Sequence, residues 1–192
     1  MKEIILIGGG GHCKSVVDVI EQEGQFVIAG IVDKPELFGK KILGYPVIGN
    51  DSDLESLAKK YTFAHVTVGQ IRSPDARIKL CGLAKQAGFI LPRLVSPRAY
   101  VSKHAVIGEG TVIMHDAVIN AGVTIDCNCI INSKALVEHD SMISKYCHIS
   151  TNAVINGGVK IEECCFIGSG VVTNNSITIK KNSFIRAGSI VK

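Results

Sequence analysis

The sequence predicts an α/β subdomain followed by a parallel β-helix, and three observations carry that prediction. Every sixth residue from Val101 to Val191 is branched: fifteen of the sixteen positions hold Ile or Val, and the exception, Thr173, is also β-branched. Two residues before each of them sits a small or β-branched residue, beginning Ala99, Ala105, Thr111, Ala117, Val123 and Cys129. A fixed six-residue period of this kind marks coils that bury their apolar sides only by stacking on one another. Residues 1 to about 90 follow a different grammar, in which β-branched runs alternate with stretches of helical spacing. That alternation is the pattern of a small parallel sheet covered by helices.

The elements follow in order. Lys2 to Ile7 reads as a buried strand that ends in four glycines, Gly8 to Gly11. His12 to Glu23 has helical spacing, with Val16, Val17, Val19 and Ile20 available for one buried face. Phe26 to Val32 is a second strand ending at Asp33, Asp51 to Tyr61 a helix with an Asp or Ser cap, and Ala64 to Val68 a third strand. Ser73 to Ala87 is a helix with Pro74 in its first turn and Gly88 at its C-terminal end. Residues 89–98, with Pro92 and Pro97, form the join, so the expected domains are 1–90 and 91–192. Three hexads make an 18-residue coil, and residues 99–192 stack as about five coils of a triangular prism. The position after each branched residue is expected to take the unusual turn backbone, because Gly108, Asn120, Asn132, Asn156, Gly168 and Asn174 fall there.

Composition narrows the classes. With 46% apolar and 20% charged residues, the chain reads as globular rather than disordered. No apolar run approaches the roughly 18 residues needed to span a bilayer, and the first strand is too short for a signal peptide. The expectation is therefore a cytoplasmic protein without a membrane partner. A formal charge of +4 suits phosphorylated ligands but comes with no aromatic-interleaved basic patch, so no nucleic acid is expected. Seven cysteines argue against a disulfide framework, and none has CxxC spacing. Cys129, Cys147 and Cys165 lie eighteen apart at the small-residue position and should stack inside the coils, so no metal is expected.

Two segments carry chemistry. The Gly8–His12 loop sits where a strand gives way to a helix, where exposed backbone N–H groups and the helix N-terminus can hold an anion. Cys13 stands where a dinucleotide fingerprint has its third glycine, and a purely structural tight turn is the competing reading. Asp33, at the end of the second strand, is placed where this topology contacts a ribose or base, or is a solvated loop carboxylate. In the β-helix, Glu138-His139-Asp140 sets an imidazole between two carboxylates at a corner of the prism. A neighbouring carboxylate fixes the histidine tautomer and raises its basicity, as a general base requires. His148 lies half a coil further on, His104 and His115 read as surface residues, and His65 as structural. No nucleophile elbow supports a covalent acyl-enzyme.

With these features together, the whole chain resembles the bacterial sugar acetyltransferases of the NeuD/PglD type, through GxxGH at Gly8–His12 and N-x(5)-EH[DE] from Asn132 to Asp140. The resemblance implies a Rossmann-like domain before a left-handed β-helix; the period alone does not set the hand. It implies that Gly8, Gly11 and His12 hold a sugar nucleotide, with Asp33 near its base. It makes His139 the general base and Asp140 its orienting acid, and turns Asn132 and Glu138 toward the sugar. His148 and Gly157 are then expected at the acetyl end of acetyl-CoA, with Ala187 and Gly188 along the pantetheine arm and the protein a homotrimer. A GxPAK-like tail common among relatives does not follow Ala187, which leaves the adenine end unassigned.

The expected function is N-acetylation of a UDP-linked 4-amino-4,6-dideoxy sugar by direct transfer from acetyl-CoA, on a route to surface sugars such as bacillosamine or legionaminic acid. O-acetylation of a sialic-acid-like sugar is the alternative within the enzymes, and a non-catalytic sugar-nucleotide-binding scaffold the alternative outside them.

Overall fold

A computed structural model describes residues 1–70 and 72–192. The chain divides into two compact units, Met1–Gly69 with Asp75–Pro92, and Gln70–Pro74 with Arg93–Lys192.

In the first unit, β1 (Lys2–Ile7), β2 (Phe26–Val32), β3 (Lys41–Ile42), β4 (Tyr45–Gly49) and β5 (Phe63–Val66) form one sheet in the order β3-β4-β2-β1-β5. β1 pairs in parallel with both β2 and β5, so it is central, and Ile4 to Ile7 are buried without a polar break. Helix α1 (Gly11–Glu23) buries Cys13, Val16, Val17, Val19 and Ile20. It stops at Gly24, whose φ of 67° lets its N–H close on the Ile20 carbonyl at 3.0 Å. The β3–β4 hairpin was not expected: Leu43 and Gly44 both take positive φ at its tip. The helix expected over Asp51–Tyr61 is a 3₁₀ turn (Asp51–Asp53) followed by α2 (Leu54–Ala58). Its cap is Asn50 rather than Asp51 or Ser52, because Asn50 accepts from the Ser52 N–H while Asp53 accepts from the Asn50 N–H. Helix α3 (Asp75–Ala87) follows. His65 lies within β5 and is buried; burial pushes its pKa down to about 4 and keeps it neutral.

The second unit is a left-handed parallel β-helix of two-residue strands on three faces, each strand pairing in parallel with the one 18 residues away, as Val118 does with Leu136. Coiling begins one hexad before Ala99: Leu94–Val95 pairs with Val112–Ile113. The branched and small residues fill the interior, with Ile131, Val137, Ile149 and Ile155 fully buried between coils. Cys129, Cys147 and Cys165 are fully buried there too. Each thiol also donates to a carbonyl of the next coil, Cys147 to Glu162 at 3.1 Å for example.

The turn backbone departs from expectation. Left-handed φ falls three residues after the branched position, at Gly110, Asp116, Gly122, Asn128, Lys134 and Asp140 and on to Gly188, and not at Gly108, Asn120, Asn132, Asn156, Gly168 or Asn174. Gly108 and Gly168 meet a different demand. A Cβ on Gly108 would stand 2.6 Å from the backbone of Asp126 and Cys127, and one on Gly168 2.5 Å from the Ala187 nitrogen. Close approach of the next coil, rather than φ, excludes a side chain there.

Candidate active site

Glu138, His139 and Asp140 form a corner of the prism. Val137 is buried in the interior, and the Glu138 N–H donates to the Ile155 carbonyl of the next coil at 2.8 Å, which fixes where the turn leaves the strand. Asp140 then takes φ 60°, a conformation that aspartate tolerates better than most residues. The His139 carbonyl accepts from the Gly158 N–H at 2.9 Å, and the Asp140 N–H donates to the Ala121 carbonyl at 3.2 Å. The corner is therefore clamped by the coils before and after it.

The turn brings the His139 Nδ1 to 2.9 Å from the Asp140 Oδ2. A carboxylate only accepts, so Nδ1 carries the proton and Nε2 keeps its lone pair. The hydrogen bond that His139 donates to Asp140 holds the imidazole pKa above its ordinary value, with a smaller contribution from the charge of Glu138. The His139 side chain is 63% exposed. A Cβ on Gly157 would stand 2.8 Å from its Nε2, so the ring lies directly over a residue with no side chain. Glu138 turns the other way: its Oε2 accepts from the Asn120 Nδ2 at 2.8 Å. Asn120, which sequence reasoning counted only as a turn residue, is thus a member of this group.

His148 stands elsewhere on the unit, on a strand whose outward side is covered, and is only 7% exposed. Its Nδ1–H donates to the Gln70 carbonyl at 2.6 Å, which leaves Nε2 facing the Asn132 amide at 3.4 Å. The Phe166 ring meets the imidazole edge-on at 5.2 Å. Asn132 therefore sits with His148, while Glu138 sits with His139. His115, read from sequence as a surface residue, is half-buried and bonds the Ser96 hydroxyl at 2.7 Å. Ala187 and Gly188 form an exposed corner, tied to the coil before by the Gly188 N–H on the Ser169 carbonyl at 2.9 Å.

In the first unit, Gly8 takes φ 102°, and a Cβ there would lie 2.4 Å from a Val68 methyl. The Asp33 Oδ2 accepts from the Gly9 N–H at 2.5 Å and its Oδ1 from the Lys34 N–H at 2.7 Å. Asp33 thus braces the glycine loop. With Gly8, Lys34, Asn50 and Asp51 it also lines a cavity of about 310 Å³. Gly10 and Gly11 are exposed, with open space where a Cβ would stand, at the N-terminus of α1 where backbone N–H groups favour an anion. His12 is half-buried beside them. Cys13 is buried, which raises its thiol to about 11 and keeps it protonated. Among the described residues no group of His, Cys, Asp and Glu is arranged to hold a metal ion.

Comparison with known proteins adds the family. Residues 3–80 match the PglD N-terminal domain and residues 89–191 the GMPPB C-terminal domain. UDP-N-acetylbacillosamine N-acetyltransferase from Bacillus subtilis is 37% identical over 117 residues, 59% of this chain, and the match spans about half of that protein, 52%. Among solved structures, the acetyltransferase domain of PglB from Neisseria gonorrhoeae superposes with a TM-score of 0.92 at 31% identity, covering 100% of this chain and 92% of that one. A further structure of that domain, in complex with acetyl coenzyme A, superposes at 0.90 over 99% of this chain and 92% of that one, with 31% identity. PerB from Caulobacter crescentus, in complex with CoA and GDP-perosamine, matches at 0.92 and 32% identity, covering 100% of this chain and 89% of that one. The chain belongs to the NeuD/PglD-type family of hexapeptide-repeat sugar acetyltransferases.

Proposed function

We propose that this protein is an acetyl-CoA-dependent N-acetyltransferase whose acceptor is a nucleotide-linked 4-amino-4,6-dideoxy sugar. The observation that carries the reading is His139, exposed over Gly157 with its Nδ1 committed to Asp140 and its Nε2 left basic. Acetyl-CoA supplies the electrophile, a thioester carbonyl. As the sugar amine attacks that carbon, His139 Nε2 takes the amine proton, and the Asp140 carboxylate stabilises the resulting imidazolium. The same imidazolium returns the proton to the departing CoA sulfur, so neither a metal nor an acyl-enzyme is required. The bare Gly157 lets the His139 ring lie close against the next coil, and His148 borders the acetyl end of the cofactor from its own strand. In the first unit, the Gly8–His12 loop and Asp33 bind the nucleotide: the helix N-terminus faces its phosphates and the cavity beside Asp33 takes the base. UDP is the proposed nucleotide, as in the name of the Bacillus subtilis relative; PerB binds a GDP sugar.

The proposed assembly is a homotrimer. The outward positions of one prism face are Tyr100, Val118, Leu136, Val154, Val172 and Ile190, an apolar ladder along the unit with Tyr100 60% and Ile190 70% exposed. No helix among the described residues is long and apolar enough to cross a membrane, and the cytoplasm, where acetyl-CoA and sugar nucleotides are made, is the proposed compartment.

Thiol release from acetyl-CoA, followed with a UDP-4-amino-4,6-dideoxy sugar and with free N-acetylneuraminic acid side by side, tests the reading. Turnover of the amino sugar alone supports it. Turnover of the sialic acid alone moves the protein to O-acetylation, and only an absence of thiol release with any sugar acceptor, GDP-linked amino sugars included, leaves a binding scaffold.

A further inference from the structure

The corner that carries His139 is stacked on the coil before it, and that coil is shaped to receive it. Gly122 occupies the position eighteen residues before Asp140, with φ +76°. That φ does not by itself require glycine here, because Asp116, Asn128, Lys134, Tyr146, Asn152, Cys164, Ser176 and Asn182 take the same left-handed backbone at the equivalent turns. A different constraint operates at Gly122. A Cβ there would stand 2.4 Å from the Asp140 Oδ1. At Gly170, with φ +66°, a Cβ would meet nothing within 4 Å. The carboxylate of Asp140 therefore rests on the bare Cα of Gly122, and in that position its other oxygen reaches the His139 Nδ1 at 2.9 Å.

We propose that Gly122 is a positioning residue for acetyl transfer, acting through Asp140: the missing side chain is what lets the carboxylate rest on the preceding coil and hold the His139 imidazole by its Nδ1, so that Nε2 is the unprotonated nitrogen. The inference deepens the general-base reading and rests on it for the rate. The geometric claim stands apart from any acceptor. A side chain at 122 has to displace the carboxylate, because the Asp140 N–H is tied to the Ala121 carbonyl at 3.2 Å and the backbone of the two coils cannot separate locally. The charged groups flanking His139 are Asp140 and Glu138 on its own corner; Asn120 and Asn175, on the coils on either side, are neutral.

Two variants test this, Gly122→Ala and Gly122→Asn. The second introduces the residue that already occupies the equivalent turn at 128, 152 and 182, so the backbone accommodates it. Gly170→Ala reports the thermal cost of a side chain at this φ without the contact. The decisive readout is the titration of His139 by NMR in protein labelled at histidine, with Asp140→Asn as reference. The expected result is that both Gly122 variants lower the His139 midpoint toward that of Asp140→Asn. Adding Gly122→Ala to Asp140→Asn should lower it no further. In turnover, kcat falls at least tenfold while the KM for acetyl-CoA changes less than threefold. A His139 midpoint unchanged from wild type in a folded Gly122 variant overturns the proposal, whatever its rate. The titration needs no acceptor sugar, so failure to find acetyl transfer would count against the proposed function and not against this inference.

Discussion

Replacing Gly157 by alanine separates catalysis from stability at a single atom. The backbone at 157 is outside the left-handed region, and the equivalent turn residues Ala121, His139 and Asn175 all carry side chains, so the new methyl brings no backbone strain. Reduced freedom of the unfolded chain on its own favours the variant by about 0.4–1 kcal/mol. The methyl would, however, stand 2.8 Å from the His139 Nε2 and 2.9 Å from Cε1, about 0.6 Å inside ordinary van der Waals contact. The imidazole is the partner free to yield, since 63% of the side chain faces solvent. Displacing a general base by about 1 Å costs up to roughly 10²-fold, so the smaller shift here is expected to lower kcat by about tenfold. Thiol release under saturating acetyl-CoA and acceptor measures the rate, and thermal unfolding followed by circular dichroism measures the fold. The expected pair is a slow enzyme with an unchanged or slightly raised Tm. A variant that keeps the wild-type kcat, or one whose activity falls only in step with a falling Tm, would refute the reasoning.

Three further outcomes follow from the geometry. Asp140 holds the His139 pKa above 6.5, so the acid limb of kcat/KM should lie above that pH, and Asp140→Asn should move it lower while reducing the rate; a limb that stays put removes Asp140 from the mechanism. His65, neutral in the fold with a pKa of about 4, has the opposite sign: between pH 6.5 and about 4 the unfolded chain binds a proton that the folded chain refuses, so stability drops on acidification by at most about 3 kcal/mol. His65→Gln should flatten that stretch of the Tm–pH curve, and parallel curves for the two proteins would assign the acid sensitivity elsewhere. Cys147→Ser should cost no more than about 1 kcal/mol in denaturant unfolding, because Thr111 and Ser141 at equivalent positions already donate to the next coil at 2.8 and 2.9 Å as the Cys147 thiol does.

Much of this molecule was legible because the six-residue period is read without reference to anything distant. The period ran one hexad further back than expected: Val95 is in phase with Val101, but Pro92 and Pro97 made that stretch look like a join. The left-handed turn position was misread because glycine and asparagine at the residue after the branched one suggested a special φ, whereas at Gly108 and Gly168 glycine answers the closeness of the next coil. The β3–β4 hairpin escaped because its strands are short and Pro46 interrupts the second. In the site, Glu138-His139-Asp140 is contiguous and could be seen, while its supports could not. Asn120 and Gly122 reach it through coil stacking, and counting back eighteen residues from Glu138 and Asp140 is the signal that would have found them. The Gln70 carbonyl on His148 joins residues 78 apart, and no local pattern announces it.

The most direct test of the general-base claim is the rate of thiol release by His139→Asn beside wild type, at saturating acetyl-CoA and a UDP-4-amino-4,6-dideoxy sugar, with both proteins shown to melt alike. Asparagine cannot accept the amine proton as the imidazole does, and general-base catalysis is worth about 10²- to 10⁴-fold. A loss of kcat in that range with an unchanged Tm is the expected result. A variant that turns over within a few-fold of wild type would contradict the account and leave His139 a surface residue beside an acid.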